Sequence, residues 1–302
     1  MIRFLIGISL TLCLGLSAQS QRNQLLSFDY IRADSHALNY PKGRYDDARI
    51  FAKELCEGFD TEHEKFRIIY RWIAENVEYK TGRKGTDANV ILKKKKAICE
   101  GFASLLEAMC ASVDIRCETV VGFAKSDPGT DIPMNMKETN HAWNAVFLAG
   151  EWHLVDVTWS SGYYDPTRRK HIQSFNPIWF IADPDFFIFT HFPENERWQL
   201  NKKPMKKRVF KRSPILKPEG YDIGMKLMGK QKGRMHRTFK LAFKTESEVS
   251  WASIRFERED ESQGLLLVKK SDHYELKYRF DKTESGGFYL FLDGKAVYGF
   301  VK

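Results

Sequence analysis

The chain has 302 residues and carries 48 Lys and Arg against 39 Asp and Glu, a formal charge of +9. With 43% hydrophobic and 14% aromatic residues it can bury a sizeable core, which excludes a disordered or fibrous chain. Five cysteines in this length exclude a disulfide scaffold, and their spacing offers no zinc pattern, so no structural metal is expected.

Residues 1–20 read as a secretory signal peptide. They hold one charge (Arg3), an apolar run from Phe4 to Leu16, and small residues at Ser17, Ala18 and Ser20. The run is too short to span a bilayer, so no transmembrane span is expected in the mature chain. Cleavage after Ala18 or Ser20 places the protein in a periplasm or outside the cell. It leaves Cys56, Cys99, Cys110 and Cys117, of which Cys110 and Cys117 are an open pairing. The remaining chain, about 280 residues, suggests two domains.

Residues 21–60 read as an N-terminal extension with a helix near Asp46 to Gly58. A helix is predicted from Thr61 to Tyr79, with Thr61 as cap and Glu64 three residues later in the capping-box pattern. A polar loop follows from Lys80 to about Asn89. From Glu100 to Val113 the apolar residues Phe102, Ala103, Leu105, Leu106, Met109, Cys110 and Val113 keep helical spacing, so Cys99 falls in the first turn of a helix. A strand is expected near Cys117 to Phe123. The loop Lys125 to Thr139 then leads into the apolar runs around His141 and Asp156 and is a candidate cleft wall.

Ala149-Gly150 separates those two runs, and Gly150 can take the positive φ of a tight hairpin. A two-residue loop pairs Leu148 with Glu151 and hence Trp143 with Asp156. His141 then shares a face with Asp156 and lies diagonal to it, roughly 7–8 Å away at the backbone and within side-chain reach. A thiol at a helix N-terminus, where free N–H groups favour a thiolate, joined to an imidazole and a carboxylate, is the pattern of a nucleophile, its base and the group that orients the base.

Beyond Asp156, the turn-rich stretch Ser160 to Pro166 brings Tyr163 and Tyr164 near the expected cleft. With Trp143, these are the candidate substrate contacts. Residues 183–200 alternate prolines with aromatics and read as irregular cover. From Lys202 to Lys217 there are eight basic residues and no acidic one. This segment, within 201–219, reads as a solvated linker, with contact to an anionic envelope surface as the functional alternative. From 220 to 302 the alternation of Phe239, Leu241 and Phe243, of Ala252, Ile254 and Phe256, of Tyr274 to Phe280, and of Phe288 to Leu292 before Asp293-Gly294 predicts a small antiparallel sandwich.

The segments Phe66 to Tyr79, Ala97 to Ala103, Gly122 to Lys125, His141 to Val146 and Asp156 to Trp159 together resemble the transglutaminase-like superfamily, a papain-related group of thiol enzymes. With Trp179 to Pro184 and Thr190-His191-Phe192-Pro193, they are similar to its kyphoscoliosis-peptidase and cytokinesis-regulator branch over about residues 60–216. The resemblance implies Cys99 as nucleophile, His141 as base and Asp156 as orienter. Papain-like enzymes place a side-chain oxyanion donor upstream of the nucleophile. Here that stretch, Lys93-Lys94-Lys95-Lys96, offers neither Gln nor Trp.

The expected fold is α+β: a papain-like, transglutaminase-like domain over 61–200, then a β-rich, sandwich-like domain. The expected function is thiol acyl transfer on peptide or protein amides, hydrolysis being favoured over transamidation, with no cofactor and no nucleic-acid partner. A non-catalytic binding or scaffold module of the same fold is the alternative.

Overall fold

The computed structural model describes residues 18–165, 168–229 and 232–302. The predicted leader lies outside the described residues except for its last three, which open helix α1 (Ala18–Ser27). Helices α2 (Ile31–Asn39) and α3 (Ala48–Leu55) follow. Asp47 caps α3 by accepting from the Arg49 and Ile50 N–H groups, and Phe51, Ala52 and Leu55 face inward. These side chains share one core with Phe66, Ile69, Trp72 and Ile73 of α4 (Glu62–Asn76), so the segment read as an extension is built into the domain.

The α4 start follows the capping-box expectation: Thr61 Oγ1 accepts from the Glu64 N–H at 3.4 Å and meets the Glu64 carboxylate at 2.6 Å. Its end does not. The helix stops at Asn76, because Val77 turns extended and Glu78–Tyr79 leaves as strand β1, paired in parallel with β2 (Lys96–Ala97). The polar loop is also shorter than predicted. Asp87 accepts from the Val90 N–H and starts α5 (Ala88–Lys94), whose two turns are too brief to show a period in sequence.

Helix α6 (Cys99–Ala111) packs against an antiparallel sheet of strand order β5-β4-β3-β8. Its members are β3 (Cys117–Ala124), β4 (His141–Leu148), β5 (Glu151–Val155) and β8 (His191–Pro193). The β4–β5 turn holds Ala149 at φ 52° and Gly150 at φ 85°, and Leu148 pairs with Glu151 as the two-residue loop requires. Strand β8 arises inside the stretch expected to be irregular. It fits because Gly122 has no side chain: a Cβ there would lie 2.4 Å from the Phe192 carbonyl oxygen.

Between these strands lie α7 (Pro128–Asp131), α8 (Val157–Ser160), the hairpin of β6 (Gly162–Asp165) with β7 (Lys170–Gln173), and α9 (Pro184–Phe187). The basic stretch is more than a solvated linker. It contains α10 (Lys207–Phe210) and β9 (Ile215–Leu216), and buries Phe210, Ser213, Ile215 and Leu216. Lys125, itself fully buried, donates to the Phe210 carbonyl at 2.9 Å, the Ser213 carbonyl at 3.0 Å and Ser213 Oγ at 2.8 Å, tying this stretch to the end of β3.

The C-terminal strands form two antiparallel sheets. One contains β10 (Lys226–Leu227), β11 (Thr238–Lys244), β14 (Leu267–Lys269) and β15 (Tyr274–Arg279). The other contains β12 (Ala252–Phe256), β13 (Gln263–Leu265), β16 (Gly287–Leu292) and β17 (Lys295–Val301), with β9 along the β17 edge. The alternating residues predicted to face inward, among them Phe239, Leu241, Ile254 and Leu290, are buried together, and their cluster runs on into Trp143 and Trp179 of the first domain. Among the described residues no helix is long and apolar enough to cross a membrane, and the cysteine thiols, Cys110 and Cys117 included, are free.

Candidate active site

Ile98, in extended conformation, turns the chain into α6, and its carbonyl accepts from Gly101 at 2.9 Å and Phe102 at 3.2 Å. Cys99 is thereby the first helical residue. The close approach of β2 to this turn needs Gly101, where a Cβ would lie 2.7 Å from the Ala97 Cβ. His141 opens β4 opposite Gly122, and Asp156 directly follows β5. The diagonal inferred from the hairpin is present: the His141 Nε2–H donates to Asp156 Oδ2 at 2.7 Å. The other ring nitrogen, Nδ1, is not bonded to Asp156, and the neighbouring Cys99 sulfur favours the charged imidazole.

Asp156 is fully buried and does three jobs of positioning. Its N–H donates to the Trp179 carbonyl, its Oδ1 accepts from the Trp159 N–H at 3.0 Å as the α8 cap, and its Oδ2 accepts a second imidazole, His191 Nε2, at 3.1 Å. His191 stacks on Phe187 at 3.9 Å, and its Nδ1 meets Thr190 Oγ1 at 2.8 Å. In sequence the Thr190–Pro193 segment carries only part of the family resemblance, and nothing in it marks His191 for a role. Its partner lies 35 residues earlier, and no local pattern marks it.

The charges follow from this arrangement. Burial works against a charged His141, but the Asp156 carboxylate and the Cys99 sulfur outweigh it and push the imidazole up to about 10. Burial raises the Asp156 carboxyl, yet the two imidazoles hold it well below the usual carboxylate range. Burial brings His191 down to about 4, against the pull of Asp156, so it is a neutral donor. One ligand atom each from His141, Asp156 and His191 lie within 4.8 Å of one another, the only such group among the described residues. A cation there would displace both imidazole hydrogen bonds to Oδ2.

A cavity of about 530 Å³ opens beside His141, walled by Tyr79, Trp159, Tyr163, Tyr164 and His171, with Lys125 and Ser126 from the loop expected as a wall. Tyr163 and Tyr164 are exposed on its rim, where sequence placed them. Trp143 is not in it. That side chain is 1% exposed, because its position on β4 points it into the core beneath His141, which stacks over it at 6.0 Å. Trp143 is therefore a floor and not a substrate contact.

Residues 49–157 match the family model described as the transglutaminase-like superfamily. The chain carries a transglutaminase-like domain. Its α+β architecture sets a thiol-bearing helix against an antiparallel sheet, followed by a β-rich region. Over 263 residues the chain is 34% identical to kyphoscoliosis peptidase of Mus musculus, covering 84% of this chain and 39% of that protein. It is 37% identical to the Homo sapiens protein of the same name over 178 residues, 57% of this chain and 27% of the relative. It is 26% identical to cytokinesis protein 3 of Schizosaccharomyces pombe over 185 residues, 59% of this chain and 20% of the relative. The transglutaminase-like chain thus spans two-fifths or less of these relatives, and its likeness is to the branch that its motifs resemble.

Proposed function

We propose that this protein is a thiol acyl-transfer enzyme acting on peptide or protein amides, with water as the favoured acceptor. The observation that carries the reading is the His141 imidazole, bonded through Nε2 to the buried Asp156 carboxylate at 2.7 Å and held above its ordinary range by that carboxylate and the neighbouring Cys99 sulfur. Cys99 gives its thiol proton to His141 Nδ1, and its Sγ attacks the carbonyl carbon. His141 gives its Nδ1 proton to the leaving amine as the C–N bond breaks, which leaves a thioester. The neutral imidazole then takes a proton from water, whose oxygen displaces the sulfur and releases the acid. Asp156 fixes the Nε2–H tautomer throughout, and His191 and the Trp159 N–H fix Asp156. Tyr163 and Tyr164 offer exposed aromatic faces to the substrate chain.

The deciding experiment incubates wild type and Cys99→Ala with a denatured protein and a fluorescent primary amine. Cysteine-dependent new N-termini without amine incorporation support hydrolysis. Incorporation would move the reading to transamidation, and neither product would favour a binding module.

We further propose export of the chain through the leader at 1–20, which N-terminal sequencing of the mature protein tests. Seven of the eight basic residues between Lys202 and Lys217 are exposed and form a candidate contact for an anionic envelope surface. Binding to anionic but not neutral vesicles, lost on reversing Lys206, Lys207 and Arg208 to Glu, is the expected result.

A further inference from the structure

Acyl transfer needs two donors at the point where the carbonyl oxygen becomes an anion. The first residue of α6 supplies one. The Ile98 carbonyl takes the Gly101 and Phe102 N–H groups, and among the described residues the Cys99 N–H has no acceptor. The run just upstream supplies no other. Lys93 pairs with Asp46 at 3.0 Å, Lys96 with Glu78 at 3.1 Å, and the Lys95 ammonium lies over the Tyr45 and Trp72 rings. Lys94 is exposed, and none of the four lines the cavity beside His141.

The neighbouring strand does reach it. Tyr79 is held in register beside Ala97, two residues before Cys99, by the β1–β2 pairing and by the Lys80 N–H to Ala97 carbonyl bond of 2.8 Å. Its side chain is half-buried and lines the same cavity as His141. Among the described residues its hydroxyl has no hydrogen-bond partner. Burial and the neighbouring Cys99 sulfur both push the phenol above its ordinary range, so it stays an O–H donor at neutral pH.

Resting on the acyl-transfer reading, we propose that the Tyr79 hydroxyl is the side-chain donor that, with the Cys99 N–H, receives the oxyanion of the tetrahedral intermediate. Tyr79 replaces the donor that papain-like enzymes carry just ahead of the nucleophile. In the intermediate, the carbonyl π pair moves onto oxygen as the S–C bond forms, and returns as the C–N bond breaks. The phenol keeps its proton.

Two reagents separate this role from thiol activation. Iodoacetamide alkylates the sulfur without forming an oxyanion, whereas p-nitrophenyl acetate acylates the same sulfur through one. In Tyr79→Phe the acylation rate is expected to fall about 10²-fold or more, while Cys99 alkylation stays within twofold of wild type, which also reports an intact site. Acylation within threefold of wild type would overturn the assignment, as would an equal fall in both rates. A wild-type protein that is alkylated at Cys99 in a His141-dependent way but never acylated would instead overturn the acyl-transfer reading, and the Tyr79 role with it.

Discussion

Replacing His191 with phenylalanine keeps the stack on Phe187 and removes one of the two imidazole hydrogen bonds to Asp156 Oδ2. A hydrogen bond to a buried charge contributes about 1.5–3 kcal/mol, so the variant should be less stable by that amount at pH 7.5. Acid changes the comparison. Burial holds His191 at about 4 in the folded protein against 6.5 ordinarily. Between those values the unfolded chain binds a proton that the folded chain does not, so this residue's contribution is complete above pH 6.5 and is lost as pH falls through 4. The difference of 2.5 units is worth about 3 kcal/mol. His191→Phe has no such loss. The stability gap seen at pH 7.5 should therefore close or invert by pH 4, and subtracting the two profiles cancels the carboxylates common to both. Urea denaturation at pH 7.5, 5.5 and 4.2 measures this. A gap that stays constant with pH would show that His191 is not a buried neutral donor.

Lys125 gives the same sign in a more alkaline window. Burial brings its ammonium down to about 7 from 10.5, so the unfolded chain binds more protons between those values and wild-type stability gains up to about 4–5 kcal/mol as pH rises through them. His141, raised to about 10, loses stability across much of the same range, so only the difference between wild type and Lys125→Met isolates the rise, which that variant should lack. Gly122→Ala would press a Cβ against the Phe192 carbonyl oxygen at 2.4 Å and the Trp143 ring at 2.6 Å. It should cost roughly 1–3 kcal/mol in denaturant titration and slow Cys99 alkylation by displacing β8 and His191. Tyr70→Phe removes a buried hydroxyl that contacts the Asp156 carbonyl at 3.0 Å, Ser160 Oγ at 2.5 Å and the Trp179 carbonyl at 3.1 Å. A loss of about 1–3 kcal/mol in the same titration is expected, because three polar partners are left behind.

The parts of the fold that were legible in sequence are those set by near neighbours. Thr61 and Glu64 fixed a helix start, Ala149-Gly150 fixed a register, and that register alone put His141 beside Asp156. The alternating strands of the sandwich announced themselves in the same way. What stayed hidden depends on distant partners. β8 exists because Gly122, some seventy positions earlier, leaves room for it. Tyr79 read as the end of a helix because its partner Ala97 lies across a loop and another helix. The stretch 202–217 read as a linker because its charges are many, while the buried Phe210, Ile215 and Leu216 that anchor it are few. Trp143 drew attention as an aromatic beside the site; it shares the His141 face of β4 but lies two residues further in, where His141 and the core cover it.

The central claim is that His141 activates Cys99. Its most direct test is the rate of iodoacetamide alkylation of Cys99 from pH 5 to 9, in wild type and in His141→Ala, with Cys99→Ala identifying the site. The background from Cys56 and Cys110 is low, because burial pushes the Cys56 thiol up to about 12 and the Cys110 thiol well above its ordinary range. Wild-type Cys99 is expected to label at pH 6 to 7, at a rate that falls at least tenfold in His141→Ala. Labelling of Cys99 that the histidine substitution leaves unchanged across the whole range would contradict it.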